Sequence, residues 1–181
     1  MEHFISVCAE RGNRCAVAGK VKLEEAIEFL STEKLAGESK EDCVLIFNGY
    51  NDAEERYSRC ESKLNRFSTV FIDCDNPQSN PNLIEEFKEV LRNYDYYLYE
   101  TYSSTAERPK FRAIIPLDEE LEWTKYAKSA IFNIFSKFAD EKASWFYSPT
   151  KNKLSTVIHH EGKLFPSRIL KSAIEKISLQ D

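Results

Sequence analysis

The chain has 181 residues, 42% hydrophobic and 13% aromatic, which is enough to build a core and argues against global disorder. Lys and Arg number 25 against 30 Asp and Glu, a net charge of −5, so the chain as a whole is no polyanion binder by charge alone. No apolar run approaches the roughly 20 residues a membrane-spanning helix needs, and Met1-Glu2-His3-Phe4 opens no signal peptide, so the expected location is the cytoplasm, without membrane contact. Five Cys residues with no CxxC pair argue against a zinc knuckle or a disulfide framework and suggest reduced thiols.

The charge is uneven. Residues 1–104 carry 12 basic and 20 acidic side chains, whereas residues 105–181 carry 13 and 10. From Phe146 to Lys176 six cations face only Glu161 and Glu175, which permits a polyanion-facing side; Lys151, Lys153, Lys163 and Arg168 are its candidate nucleic-acid contacts.

No repeat, low-complexity block or linker divides the chain, so one domain over residues 1–181 is expected. In chain order, residues 4–9 and 14–18 read as a short strand pair. Residues 22–31 place Leu23, Ala26, Ile27 and Leu30 on one helical face. Strands follow at 43–47 and 69–73. Residues 81–94 open with Pro81 and align Leu83, Ile84, Phe87, Val90, Leu91 and Tyr94 as a second helix. Two strands, 96–102 and 111–117, lead to a third helix over 121–138. Trp145 to Tyr147 and Leu154 to His159 suggest a late hairpin, and Pro166 starts a last helix to 177. This order predicts an α+β domain, a mixed or antiparallel sheet with helices packed mainly on one face.

Two segments carry the chemistry. In Phe71-Ile72-Asp73-Cys74-Asp75-Asn76, alternation along a strand projects Asp73 and Asp75 to the same side. Two close carboxylates repel, and Mg²⁺ or Mn²⁺ with hard oxygen ligands relieves this. The other reading is a strand-end turn capping the next helix. The second segment runs from Glu100 through Ser103, Ser104 and Thr105 to Lys110, Arg112 and Leu117. Lys110 and Arg112 are two apart. An Arg inside an apolar strand requires either a carboxylate or a phosphate as partner. The tyrosines at 96, 97, 99 and 102 offer either core packing or a base-stacking platform.

FIDCDN, then YETYSSTAERPKFRAIIPLDEEL, then a long helix and ADEKASWFYSP, resembles the archaeo-eukaryotic primase superfamily over about residues 40–165, closest to the primase-polymerase-like domain of phage and plasmid replication proteins. The resemblance implies an RRM-like palm and two-metal nucleotidyl transfer on a DNA template. It gives Asp73, Asp75 and Asp140 as catalytic metal ligands for Mg²⁺ or Mn²⁺, with Asp118 in reserve. Ser103, Ser104, Lys110 and Arg112 would hold the nucleoside triphosphate. A replicative helicase is an implied partner, and the host cytoplasm the setting for a phage protein. The sequence departs from the family where Ser104 stands in place of a histidine that faces the phosphates. A serine hydroxyl carries no positive charge. His159 or His160 is the expected compensating residue, the other reading being an exposed hairpin residue. The alternative is a catalytically degenerate module that binds nucleic acid or nucleotide.

Overall fold

A computed structural model describes residues 1–11, 16–32, 36–140 and 145–181. Among these residues ten strands form two five-stranded sheets, and every ladder within each sheet is antiparallel. The first sheet contains β1 (Phe4–Arg11), β2 (Val17–Lys22), β3 (Val44–Phe47), β5 (Arg56–Ser58) and β9 (Phe146–Tyr147), in the order β5-β2-β1-β3-β9. The second contains β4 (Gly49–Tyr50), β6 (Arg66–Cys74), β7 (Tyr96–Glu100), β8 (Phe111–Glu122) and β10 (Ile158–His160), in the order β10-β7-β8-β6-β4. The expectation of α+β architecture holds, with two sheets where one was expected.

The chain crosses between the sheets at Asn48. Its side-chain amide donates to the Thr69 carbonyl at 3.0 Å, and the next residue, Gly49, already pairs with Phe67. A side chain on Gly49 would meet the end of the Leu64 side chain at 2.9 Å and the Trp123 ring at 3.2 Å, so glycine lets the chain cross close to both. A register shift in the β6–β8 ladder falls between Phe67 and Thr69. There the Ser68 hydroxyl accepts the Phe4 amide at 2.9 Å and ties β1 to β6.

Strand alternation sorts the core. Phe71, Tyr97 and Ile114 face the first sheet and pack with Ile5, Val44, Ile46 and Phe146 and with Leu23, Ala26 and Leu30 of α1 (Leu23–Leu30). Val70, Ile72, Leu98, Ala113 and Ile115 belong to a second core cluster. It includes Phe87 of α2 (Leu83–Val90), Ala127 and Ile131 of α3 (Ala127–Ile134), and Leu170 of α4 (Ser167–Ser178).

Three expectations change. The third helix begins at Ala127, because Leu117 to Glu122 extend β8 and Leu121 pairs with Phe67. The late hairpin does not form: β9 joins β3 in one sheet and β10 joins β7 in the other, with a 3-10 turn over Lys151–Thr156 between them. Cys8 is disulfide-bonded, whereas Cys43, Cys60 and Cys74 are free, so the thiols are not all reduced. Residues 14–15 of the expected second strand, and Glu141 to Ser144 after Asp140, lie outside the described residues. No helix among the described residues is long and apolar enough to cross a membrane.

Candidate functional site

The site forms where the central strands of the second sheet end against β9. Antiparallel pairing sets Asp73 opposite Arg112, and Arg112 opposite Tyr99, so one transverse row holds an acid, a cation and a phenol. All three have the parity of Phe71, Ile114 and Tyr97, the face turned toward the first sheet. Arg112 Nε donates to Asp73 Oδ1 at 3.2 Å, and Arg112 Nη1 to the Tyr147 carbonyl at 3.1 Å. The Tyr99 hydroxyl donates to the same carbonyl at 2.8 Å. The guanidinium lies 5.4 Å from the Phe146 ring centroid and 6.0 Å from that of Tyr147, within cation–π range.

This pair is largely withdrawn from water, with side-chain exposures of 18% for Asp73 and 11% for Arg112. Burial raises the Asp73 pKa above the ordinary carboxylate range, against the pull of Arg112. Burial also opposes the Arg112 charge, but Tyr99 and Asp73 outweigh it and hold the pKa above its usual value. Lys40, in a 3-10 turn over Lys40–Asp42, adds a further cation felt by Asp73. It is a residue that the sequence reading missed, because nothing near it in sequence marks it.

Two residues further out the pattern repeats. β6 ends at Cys74, yet Asp75 still lies 3.8 Å from Lys110 Nζ. The Asp75 side chain is 56% exposed, so water screens this pair. The Cys74 thiol points to the opposite face, and burial pushes its pKa up to about 12, which leaves it no nucleophile.

Asp140 comes to the expected acids and is tied there to the backbone. Its Oδ2 accepts the backbone amides of Asp75 and, at 2.9 Å, Asn76. Asn76 is the residue sequence reasoning undervalued. It is buried with φ of 52°, and its side-chain amide donates to the Asn80 and Pro109 carbonyls at 2.8 and 2.9 Å. Its Oδ1 accepts the Asn80 amide, and its carbonyl accepts Arg108 Nε at 2.9 Å. The Asp turn and the serine turn are therefore pinned to each other through one side chain.

Ser104 is similarly committed. It is buried, donates to Glu100 Oε1 at 2.5 Å and accepts the Lys110 amide at 2.9 Å, whereas Ser103 is exposed. Asp118 is also accounted for, since Oδ1 accepts the Ser167 amide at 2.8 Å at the start of α4.

His159 does not join the row. It stacks on Tyr97 with centroids 4.2 Å apart and bonds Asp95 at 3.1 Å. β7 and β8 separate it from β6, roughly 14 Å at the usual strand spacing. It lines a separate cavity of about 370 Å³ with His3, Lys22, Glu24 and Leu164. His160 takes the other face and stacks on Tyr96, as adjacent strand residues must.

The four proposed nucleic-acid contacts do not form one patch. Lys151 pairs with Glu38 at 2.7 Å, whereas Lys153 Nζ donates to the Ser104 carbonyl at 2.9 Å and so sits at the serine turn. Lys163 holds the other end of β7 by backbone bonds with Asn93 and Asp95. Arg168 lies on α4 near Ile134 and Lys176.

No three His, Cys, Asp or Glu side chains among the described residues converge as metal ligands. Asp73 and Asp75, close enough for the Asp75 charge to be felt at Asp73, are the oxygen donors that would hold a hard divalent ion together with substrate phosphates and water. No protein-family model matches the chain, and no curated protein or solved structure does either.

Proposed function

We propose that this chain is a primase-polymerase-like nucleotidyltransferase domain, its second sheet serving as an RRM-like palm. The observation that supports this best is the Asp73–Arg112 pair, in register on neighbouring strands with the Asp75–Lys110 pair beside it. Acids and cations at this spacing suit a ligand that is itself a cation and a polyanion side by side, a divalent metal with a nucleoside triphosphate.

In this reading Asp73 and Asp75 hold the divalent ions. Arg112 grips phosphate oxygens with its planar fork, while Lys110 contributes a point charge. The ions, when bound, supply charge neutralisation at the phosphorus under attack. Asp140 and Asn76 fix the turn that presents Asp75, so they are positioning residues. The DNA template and a replicative helicase would be the partners, in the cytoplasm. Template-dependent incorporation of labelled nucleotide with Mn²⁺ or Mg²⁺ tests the reading. The expected result is incorporation by the native chain and none by a folded Asp73→Ala/Asp75→Ala variant; synthesis that survives both substitutions rejects the assignment.

A second reading, nucleotide binding without synthesis, is favoured by one observation. Asp140 and Ser104 spend polar atoms on the protein itself. It predicts metal-dependent triphosphate binding with no incorporation on any template.

A further inference from the structure

The Asp73–Arg112 contact has a consequence for the order in which ligands enter, one that rests on the nucleotidyltransferase reading. Each partner is more than four-fifths buried, and the ion pair between them compensates both charges. A divalent ion arriving alone at Asp73 draws the carboxylate away and leaves a buried guanidinium beside a new cation. A triphosphate arriving alone at Arg112 leaves a buried carboxylate beside new negative charge, with Asp75 close by. Breaking a buried pair by removing one partner is the costly case. When both ligands arrive, each stranded group finds a replacement partner at once: the metal for Asp73, the phosphate for Arg112.

We propose that the Asp73–Arg112 pair is a latch that disfavours metal alone and triphosphate alone, so that the two enter together. In the neighbouring Asp75–Lys110 pair the lysine is largely buried but the Asp75 carboxylate is 56% exposed and screened by water, so Asp75 serves as the internal control.

The test measures each ligand without the other, which removes direct chelation from the readout. Calorimetry follows α,β-imido-dATP binding in EDTA to the native chain, Asp73→Asn and Asp75→Asn. Electron paramagnetic resonance follows Mn²⁺ alone binding to the native chain, Arg112→Gln and Arg112→Lys, with circular dichroism to verify folding. Asp73→Asn should bind the metal-free triphosphate at least tenfold more tightly than the native chain, and Asp75→Asn less than threefold. Arg112→Gln should take up Mn²⁺ at least tenfold more tightly, while Arg112→Lys, which keeps the charge, should not. No gain in Asp73→Asn overturns the latch, as does an equal gain in Asp75→Asn, which signals general charge repulsion. A native chain that binds no triphosphate even with Mn²⁺ overturns the nucleotidyltransferase reading and the latch with it.

Discussion

The carboxylate of Asp140 accepts the backbone amides of both Asp75 and Asn76, so one oxygen of the third acid is bound to the turn that carries the second. This is helix-cap chemistry transferred to a strand end, where two backbone donors converge on a short acid. Asp140→Ala leaves both amides without that partner and should cost about 2 kcal/mol of stability in urea denaturation. Asp140→Asn retains a carbonyl oxygen at the same place and should remain within about 0.5 kcal/mol of the native chain. Its affinity for the Mn²⁺–triphosphate complex should change less than threefold; a larger loss would make Asp140 a metal ligand after all.

Asn76 makes a second prediction. The left-handed backbone at φ of 52° and the hydrogen bonds of its buried side chain exact separate costs, and two substitutions separate them. Asn76→Ala loses the bonds and strains the backbone, for roughly 3 kcal/mol in total. Asn76→Gly loses the same bonds but suits the backbone, and should recover about 1 kcal/mol of that. Equal melting temperatures for the two variants would show that the backbone conformation is immaterial there.

What could be read from the sequence is what depends on local period. Alternation along each strand grouped Asp73 with Asp75 and Lys110 with Arg112, whereas the pairing of Asp73 with Arg112 is set by the register of β6 on β8. The assignments that failed are those where distant partners decide. Trp123 stands at helical spacing from Tyr126 and Ala127, yet it packs edge-on against Phe47 and Phe67, and Leu121 before it is drawn into β8 by Phe67 across the sheet. The segments that became β9 and β10 are two and three residues long, too short to carry a register of their own, and each follows a different sheet. Asp140 resembles any helix-end acid in sequence. Only the return of the chain past α3 brings it to the Asp75 amide.

Lys40 supplies a third prediction. Its turn is linked to the β9 side of the site, with the Cys43 thiol that follows it near the Pro149 carbonyl. Asp73 feels its charge, and it makes no ion pair with any of the described residues. A cation so placed is available to a phosphate. Lys40→Gln should weaken binding of the Mn²⁺–triphosphate complex about fivefold at low salt and by less at high salt. Nucleoside monophosphate binding should be unaffected. Equal losses for both ligands would put Lys40 outside the phosphate path.

The fourth prediction concerns acid. Asp118 holds the first amide of α4, and its hydrogen bonds to Ser167 lower its pKa below the ordinary carboxylate value. A depressed carboxylate stabilises the fold at pH above its unfolded value, and that contribution is lost as pH falls through the folded one. Asp118 is exposed, so screening keeps the effect near 1 kcal/mol at neutral pH, about the worth of a helix cap. Asp118→Ala should therefore lie about 1 kcal/mol below the native chain at pH 7 in urea titrations. The gap should narrow as the pH falls below the ordinary carboxylate range, because the protonated native side chain caps the helix less well. A gap that stays constant with pH would mean that packing of α4, and not the charge on Asp118, accounts for the loss.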